Sequence, residues 1–534
     1  MLACWSHCSL APSSASSPPP RQIEPDGSML EAAWEDHATA AVNAPTVDAV
    51  MDLLTALAAR HNVPLVTPPN APHTATVVIG RDTRPSSPVL AAALASAISS
   101  LGATVVDVGL ATTPAVHFVV RRRHRAAIGR GPPPPSTPAA ELAAYATHYT
   151  DAYVALLAAA GDGAAAAAAA AGPLVVDASC GVGATVVGVA DSPVAAALGG
   201  RLRVVNGLGG GARLNDRVGA EYVHKRGRLP VVYPTDADAL FADPPPVLGG
   251  WAGAHEGEPP PAGNVGLVAS LDGDADRLVL YHPTTGVLDG DRFTVLTAGF
   301  VADTAAAAGV AVAIGVAHTA YSNGAAGDAL RAMAGVAVLP ALTGVKHQEA
   351  VVRADGIDVG IYWEPNGHGT VLFADGFLER LRAAAGGAGG GDAAAARRRA
   401  AATLLAVADV ANQAVGDGIA NLLLADALLA IRRWSAPDWV AATYAARAAV
   451  NVSVAVADKG VVTTADFDTR VVEPRALAEA VAAAVKATPG GRSFVRPSGT
   501  EDIVRVYAEA EGEAAAQRLA DTVVAAVKRT CGRA

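Results

Sequence analysis

Short apolar runs that pass through a polar loop into a helical stretch recur along this sequence, and that repetition constrains the fold more than any other feature. Thr74 to Ile79 leads through Gly80-Arg81-Asp82-Thr83-Arg84-Pro85-Ser86-Ser87 into Pro88 to Leu101. Ala103 to Val108 leads through Gly109-Leu110-Ala111-Thr112-Thr113-Pro114 into a second helix. The same beat returns at Leu174 to Ala178, Val310 to Val316, Val336 to Leu339 and Val359 to Tyr362. Strands alternating with helices predict largely parallel sheets, with ligand sites at the carboxyl ends of the strands. Past about Asn451 the order becomes strand, helix, strand, loop, strand, helix, which predicts a smaller α+β domain. Upstream, Trp34, Val42, Val47, Val50 and Leu53 fall at helical intervals within 29–59.

The fold class is therefore α/β: three consecutive mixed-sheet domains followed by a smaller C-terminal α+β domain. The expected boundaries are 23–160, 173–292, 293–435 and 445–534, with 1–22 a divergent, disordered leader. Asp243 to Gly263 and Ala383 to Ala402 read as insertions because both are Pro/Gly-rich or Ala/Gly-rich. Arg121 to Arg125, with His124, reads as a helix end with its solvated face.

Between the apolar runs Val265 to Ala269 and Leu278 to Tyr281 lies Asp272-Gly273-Asp274-Ala275-Asp276-Arg277. Three carboxylates at alternate positions in a tight loop repel one another, and a hard divalent cation removes that cost; oxygen ligands suit Mg²⁺. A solvated acidic turn is the competing reading. An EF-hand is excluded, since its sixth and twelfth positions are held by Arg277 and Pro283. Ser179-Cys180-Gly181-Val182-Gly183-Ala184 resembles a dinucleotide fingerprint but fails it, because Val186 takes the third-glycine position and Asp191 follows too soon.

Two further loops carry chemistry. Trp363-Glu364-Pro365-Asn366-Gly367-His368-Gly369-Thr370 alternates a carboxylate, an amide and an imidazole, a set suited to sugar hydroxyls. Arg496-Pro497-Ser498-Gly499-Thr500-Glu501-Asp502, followed by Arg505, combines two guanidiniums, two hydroxyls and a glycine into a phosphate nest. A substrate bearing both sugar hydroxyls and phosphate follows from the pair.

The net charge of -10 and the lack of a long basic run argue against nucleic acid or an anionic membrane as partner. Cys4, Cys8, Cys180 and Cys531 have neither zinc spacing nor disulfide density, which suits a reducing compartment. The alanine tract Ala164 to Ala171 is too weakly apolar to span a bilayer.

Taken together, Trp34 to Thr39, Gly80 to Ser87, Thr112 to Pro114, Asp272 to Arg277, Thr343 to His347, Asn366 to Thr370 and Phe494 to Asp502 resemble the α-D-phosphohexomutases over nearly the whole chain from about Ile23. Asn366-Gly367-His368-Gly369 is similar to the acetylglucosamine branch, whereas glucose and mannose relatives tend to carry Ser where Asn366 stands. The resemblance implies interconversion of N-acetylglucosamine 6-phosphate and 1-phosphate, on the route to UDP-N-acetylglucosamine, by a cytoplasmic monomer that takes small sugar phosphates. It assigns Mg²⁺ to Asp272, Asp274 and Asp276. Glu364, Asn366, Gly367 and His368 would hold the sugar. Arg496, Ser498, Gly499, Thr500 and Arg505 would hold the non-reacting phosphate, and His368 or Lys346 would assist proton transfer.

The family's nucleophilic serine lies in a Thr-Ala-Ser-His-Asn-Pro loop upstream of the Trp34 region, and no stretch of this sequence matches it. Ser6-His7 echoes two letters, with Cys8 in place of Asn. The first domain is therefore expected to be N-terminally incomplete. Three readings stay open: a truncated gene model, a catalytically dead sugar-phosphate-binding relative, or a mutase with an altered nucleophile. A sister mutase for glucose or glucosamine phosphate is the alternative enzyme.

Overall fold

The computed structural model describes residues 75–100, 102–189, 191–208, 213–231, 266–498 and 502–532. They fall into two compact units, one of 78–92 with 107–532 and a small one of 75–77 with 93–106. The sequence expectations for Ser6, the 29–59 helix, Trp34 to Thr39, Asp243 to Gly263, Gly499 and Thr500 lie outside the described residues.

The fold is mixed α/β. β1 (Thr76–Arg81) and β2 (Thr104–Leu110) make a two-stranded sheet, followed by the helix Thr113–Ala127. The next sheet has the order β4-β3-β5-β6-β7, from β3 (Leu174–Asp177), β4 (Leu202–Val205), β5 (Leu267–Leu271), β6 (Leu278–His282) and β7 (Gly286–Leu288). β3 pairs in parallel with β4 and β5, whereas β5, β6 and β7 run antiparallel in turn. β3 is buried at all four positions, as a parallel strand covered on both faces requires.

The third sheet, in the order β11-β10-β8-β9, is built from β8 (Ile314–His318), β9 (Val336–Pro340), β10 (Val359–Trp363) and β11 (Gly369–Phe373). The last domain holds β12 (Ala448–Ala455), β13 (Thr463–Ala465), β14 (Arg470–Glu473), β15 (Arg492–Pro497) and β16 (Ile503–Ala510), with helices Arg475–Lys486 and Glu513–Cys531. Its main sheet is antiparallel, β12-β16-β15. The β13–β14 hairpin is an addition to the sequence expectation.

One continuous apolar cluster runs from Ala115 through Leu156, Leu271, Phe293, Ile361, Val407 and Leu423 to Trp439. Part of it is supplied by a helix absent from the sequence expectations, Pro138–Ala160, capped by Thr137 with Pro138 in its first turn. Tyr145, Tyr149 and Tyr153 recur every fourth residue on its buried face. The Tyr145 hydroxyl lies 2.9 Å from both Asp417 carboxylate oxygens, and the Tyr153 hydroxyl donates to Asp426 at 2.7 Å.

Ala383 to Ala402, read from its low complexity as an insertion, is largely helical. It spans the end of the helix Asp375–Ala385 and the first half of the helix Asp392–Val410, on which Ala401 and Leu404 are fully buried. Alanine on the inner face lets neighbouring helices approach, while Arg397 and Arg399 remain on the exposed side. The Arg121 to Arg125 run also departs from a uniformly solvated face, since Arg123 turns inward to the fully buried carboxylate of Glu141.

Candidate active site

The acidic loop is the turn between β5 and β6, held open by the register pair Leu271↔Leu278. Within it Asp272 is buried, and Ala275 adopts a left-handed φ of 58° with its methyl fully enclosed. One carboxylate oxygen from each of Asp272, Asp274 and Asp276 falls within 4.8 Å of the others. Two local bonds keep the turn tight: Ala275 N–H donates to the Asp272 carbonyl and Arg277 N–H to Asp272 Oδ1, both at 3.2 Å.

Three neighbouring segments hold this loop. Thr113, first residue of the helix Thr113–Ala127, donates its hydroxyl to Asp274 Oδ2 at 2.6 Å. The Ser179–Ala184 loop packs beneath, with Val182 N–H donating to the Gly273 carbonyl at 3.0 Å. A Cβ on Gly181 would come within 2.3 Å of that same oxygen, so its glycines serve close backbone packing and not a dinucleotide. Thr83 Oγ1 in turn donates to the Cys180 carbonyl at 3.2 Å. From the third side His368 Nδ1 lies 3.1 Å from Asp276 Oδ2.

His368 arrives there because Gly367 permits it. Gly367 has φ of +90°, its carbonyl accepts the Leu278 N–H at 3.2 Å, and a Cβ at that position would lie 2.1 Å from the Leu278 carbonyl oxygen. Only glycine fits such an approach. The rest of the loop is internally braced: Glu364 accepts the Gly344 N–H at 3.0 Å and the Asn366 amide at 3.2 Å, and Asn366 Oδ1 accepts the His368 N–H at 3.0 Å. Glu364, Asn366 and His368 thus form one cluster beside the acidic loop. Lys346 stands exposed in the first turn of the helix Val345–Val352, two residues beyond Gly344.

In the C-terminal domain Arg496 and Arg505 face each other in register across β15 and β16, and Ser498 N–H closes the following loop onto the Ile503 carbonyl at 3.0 Å. Asp468, from the turn of the β13–β14 hairpin, holds Arg496 Nε at 2.8 Å. This domain is latched to the loop after β8. Arg492 donates to the carbonyls of Ala320 at 2.8 Å and Ser322 at 2.7 Å, and Glu509 accepts the Gly324 N–H at 3.0 Å. Tyr321 packs edge-on against Phe494 and Tyr507. Burial raises the pKa of its phenol against the opposing pull of Arg496 and Arg505. Tyr321, Asp468 and Thr113 had no assigned role from sequence, because each acts through a partner distant in the chain.

The electrostatics of the acidic loop fit a hard divalent cation. Burial, then the charges of Asp276 and Asp274, push the Asp272 carboxyl well above the usual range. Burial acts in the same sense on Asp276, but the His368 hydrogen bond and the His368 and Arg277 charges outweigh it and leave that carboxyl below its ordinary value. Asp276 Oδ1 is buried and makes no hydrogen bond. An orphaned carboxylate oxygen beside two others is the donor set that a cation with oxygen ligands completes.

Comparison with known proteins identifies the family. Residues 289–434 match the family model for phosphoacetylglucosamine mutase AMG1, domain III. Residues 43–129 match the alpha/beta/alpha domain I of phosphoglucomutase/phosphomannomutase, and 451–526 match the C-terminal domain of that family. The phosphoacetylglucosamine mutase of Oryza sativa subsp. japonica is 32% identical over 96% of this chain and 85% of its own, and that of Mus musculus is 33% identical over 96% and 84%. Among solved structures, Aspergillus fumigatus N-acetylphosphoglucosamine mutase in complex with GlcNAc-6P and magnesium is 30% identical with a TM-score of 0.73, covering 95% of this chain and 85% of that one. A substrate complex of N-acetylglucosamine-phosphate mutase has a TM-score of 0.74 at 29% identity, covering 95% and 86%.

Proposed function

The chain belongs to the phosphoacetylglucosamine mutases of the α-D-phosphohexomutase superfamily, and from that premise we infer which of its residues interconvert N-acetylglucosamine 6-phosphate and N-acetylglucosamine 1-phosphate. The observation that carries the assignment is the convergence of Thr113, His368 and the Ser179–Ala184 loop on Asp272, Asp274 and Asp276.

Mg²⁺ is the cofactor, and Asp272, Asp274 and Asp276 are the residues to hold it. Its charge there stabilises a phosphoryl group in transfer. His368 positions Asp276 by donating from Nδ1, and, as the family resemblance implies, it is one candidate for proton transfer at the accepting sugar hydroxyl. Glu364 and Asn366 orient the sugar from the same rigid loop. Arg496, with its Nε engaged by Asp468, would offer its guanidinium to the phosphate that is not reacting; Arg505 faces it across the sheet and Ser498 opens the following loop, to which the sequence adds Gly499 and Thr500. Lys346 is the second candidate for proton transfer. Ser6, the sequence's candidate for the phosphoryl-carrying group, lies outside the described residues.

The domain division 23–160, 173–292, 293–435 and 445–534 completes the reading, with a monomer acting in the cytoplasm on small sugar phosphates and not on nucleic acid or membrane. The buried free thiols of Cys180 and Cys531 and the net charge of -10 support it. No helix among the described residues is long and apolar enough to cross a membrane.

Turnover of N-acetylglucosamine 6-phosphate by the purified chain, with Mg²⁺ and a sugar bisphosphate activator, followed by phosphorus NMR, tests the assignment. Asp276→Asn should abolish the 1-phosphate signal while leaving sugar-phosphate binding in place. Full activity in that variant would overturn the metal role, and binding without turnover in the parent chain would favour the catalytically dead relative. Equal rates on glucose 1-phosphate would remove the sugar-loop argument.

A further inference from the structure

The basic run at Arg121 to Arg125 takes no part in the site above, although it shares a helix with it. Thr113 begins that helix against the acidic loop, and Arg121 and Arg125 follow about 12 and 18 Å further along at 1.5 Å per residue. At that far end Arg121, Arg122 and Arg125 join Arg130 around a cavity of about 380 Å³. Arg123, between them, is committed elsewhere, to Glu141.

The other four form no ion pair among the described residues. Among the described residues no carboxylate lies within 4.0 Å of any of these guanidiniums, and Arg125 makes only a long bond to the Arg130 carbonyl, 3.4 Å. Asp409 is the one acid among the residues lining the cavity. Four like charges facing one concavity repel one another, and a polyanion turns that cost into attraction. Arginine forks also match phosphate oxygens two at a time.

The wall beside them is aromatic. Half-buried Phe118 and exposed His148 both line the cavity, their ring centroids 5.4 Å apart, with Tyr149 behind them 4.9 Å from His148. Flat faces next to a cationic cluster suit a ligand with a planar ring and phosphates. We propose that this cavity is a nucleotide-binding site, with the phosphates on Arg121, Arg122, Arg125 and Arg130 and the base against Phe118 and His148.

Isothermal titration of the whole chain, in buffer containing a chelator, with ADP, pyrophosphate and adenosine as probes tests this. ADP should bind, and bind less tightly as salt is raised. Pyrophosphate should bind at least about tenfold more weakly, and adenosine more weakly still. The exposed pair Arg125→Glu and Arg130→Glu should cost ADP at least about tenfold in affinity while mutase turnover, which reports the fold, is retained. His148→Ala should weaken ADP and leave pyrophosphate unchanged. Saturating N-acetylglucosamine 6-phosphate should not displace ADP. Equal affinity for pyrophosphate and ADP would overturn the nucleotide assignment in favour of a plain phosphate site. Displacement by the sugar phosphate, indifference to the arginine substitutions, or no ADP binding would overturn the site itself.

Discussion

Thr113 donates its hydroxyl to Asp274 Oδ2 at 2.6 Å, across 161 positions of sequence, and its own N–H donates to the Asp274 carbonyl at 3.0 Å. The hydroxyl spends its proton on one carboxylate oxygen and so fixes the direction of the other. Thr113→Val removes that bond at nearly constant volume. Apparent Mg²⁺ affinity should fall about 10- to 100-fold, as it does when a partner behind a metal ligand is lost. Turnover titrated with Mg²⁺ should show the loss and its recovery at saturating metal; an unchanged Mg²⁺ midpoint would refute the orienting role.

Asp272 sets a pH dependence. Its carboxyl is raised in the folded, metal-free chain, so the folded state binds the proton more tightly than the unfolded one. Stability from this group is present below the unfolded value and lost as pH rises toward the raised one. Melting measured with a chelator should therefore drop as pH climbs from about 4. The stabilisation conferred by Mg²⁺ should grow over the same interval, because deprotonation and metal binding are linked. A Mg²⁺ effect independent of pH would contradict it.

Gly367→Ala should destabilise the protein by about 2–5 kcal/mol, since a methyl meets the Leu278 carbonyl at 2.1 Å and φ is +90°. Urea unfolding measures the loss. A variant that keeps its stability would mean that the loop relaxes without cost, and its Mg²⁺ affinity should then fall because His368 moves.

Arg496→Lys replaces a fork by a point charge. The KM for sugar phosphate should rise at least about tenfold with a smaller change in kcat. Steady-state kinetics separate the two, and an unaltered KM would remove Arg496 from phosphate binding.

Glu509 has no exposed side-chain surface and holds Arg492 at 2.9 Å, together with the Gly324 N–H at 3.0 Å. Glu509→Ala leaves the Gly324 N–H and the Tyr507 hydroxyl without their acceptor, removes the carboxylate facing Arg492, and should cost about 3 kcal/mol. Because the contact joins the C-terminal domain to the loop after β8, amide exchange should quicken first at 320–324. Uniform destabilisation with no such local opening would count against the latch.

What was legible in the sequence was local. The apolar strands flanking Asp272 to Arg277 announce themselves by composition, and the three acids by their spacing, so β5, β6 and the loop fall where expected. The helix Pro138–Ala160 was hidden behind four prolines and a background of alanine, in which Tyr145, Tyr149 and Tyr153 carry the only strong period. The β13–β14 hairpin turns on Asp466, Phe467 and Asp468, all in left-handed backbone without a glycine to signal it. Asn366 and Glu364, two and four residues before His368, make it look like a sugar ligand; its hydrogen bond to Asp276 crosses from one domain to the next, and no local pattern reports that.

The pairing of Leu271 with Leu278 closes the acidic loop at six residues. Each end is a rung of an antiparallel ladder, and Leu278 is also bonded to Gly367 of the neighbouring domain. A single inserted residue could not slip along either strand without turning the side chains of β6 from one face of the sheet to the other. The spacing of the three acids is therefore tied to the register of both strands, so a changed loop length would displace the carboxylates from one another even with every ligand retained.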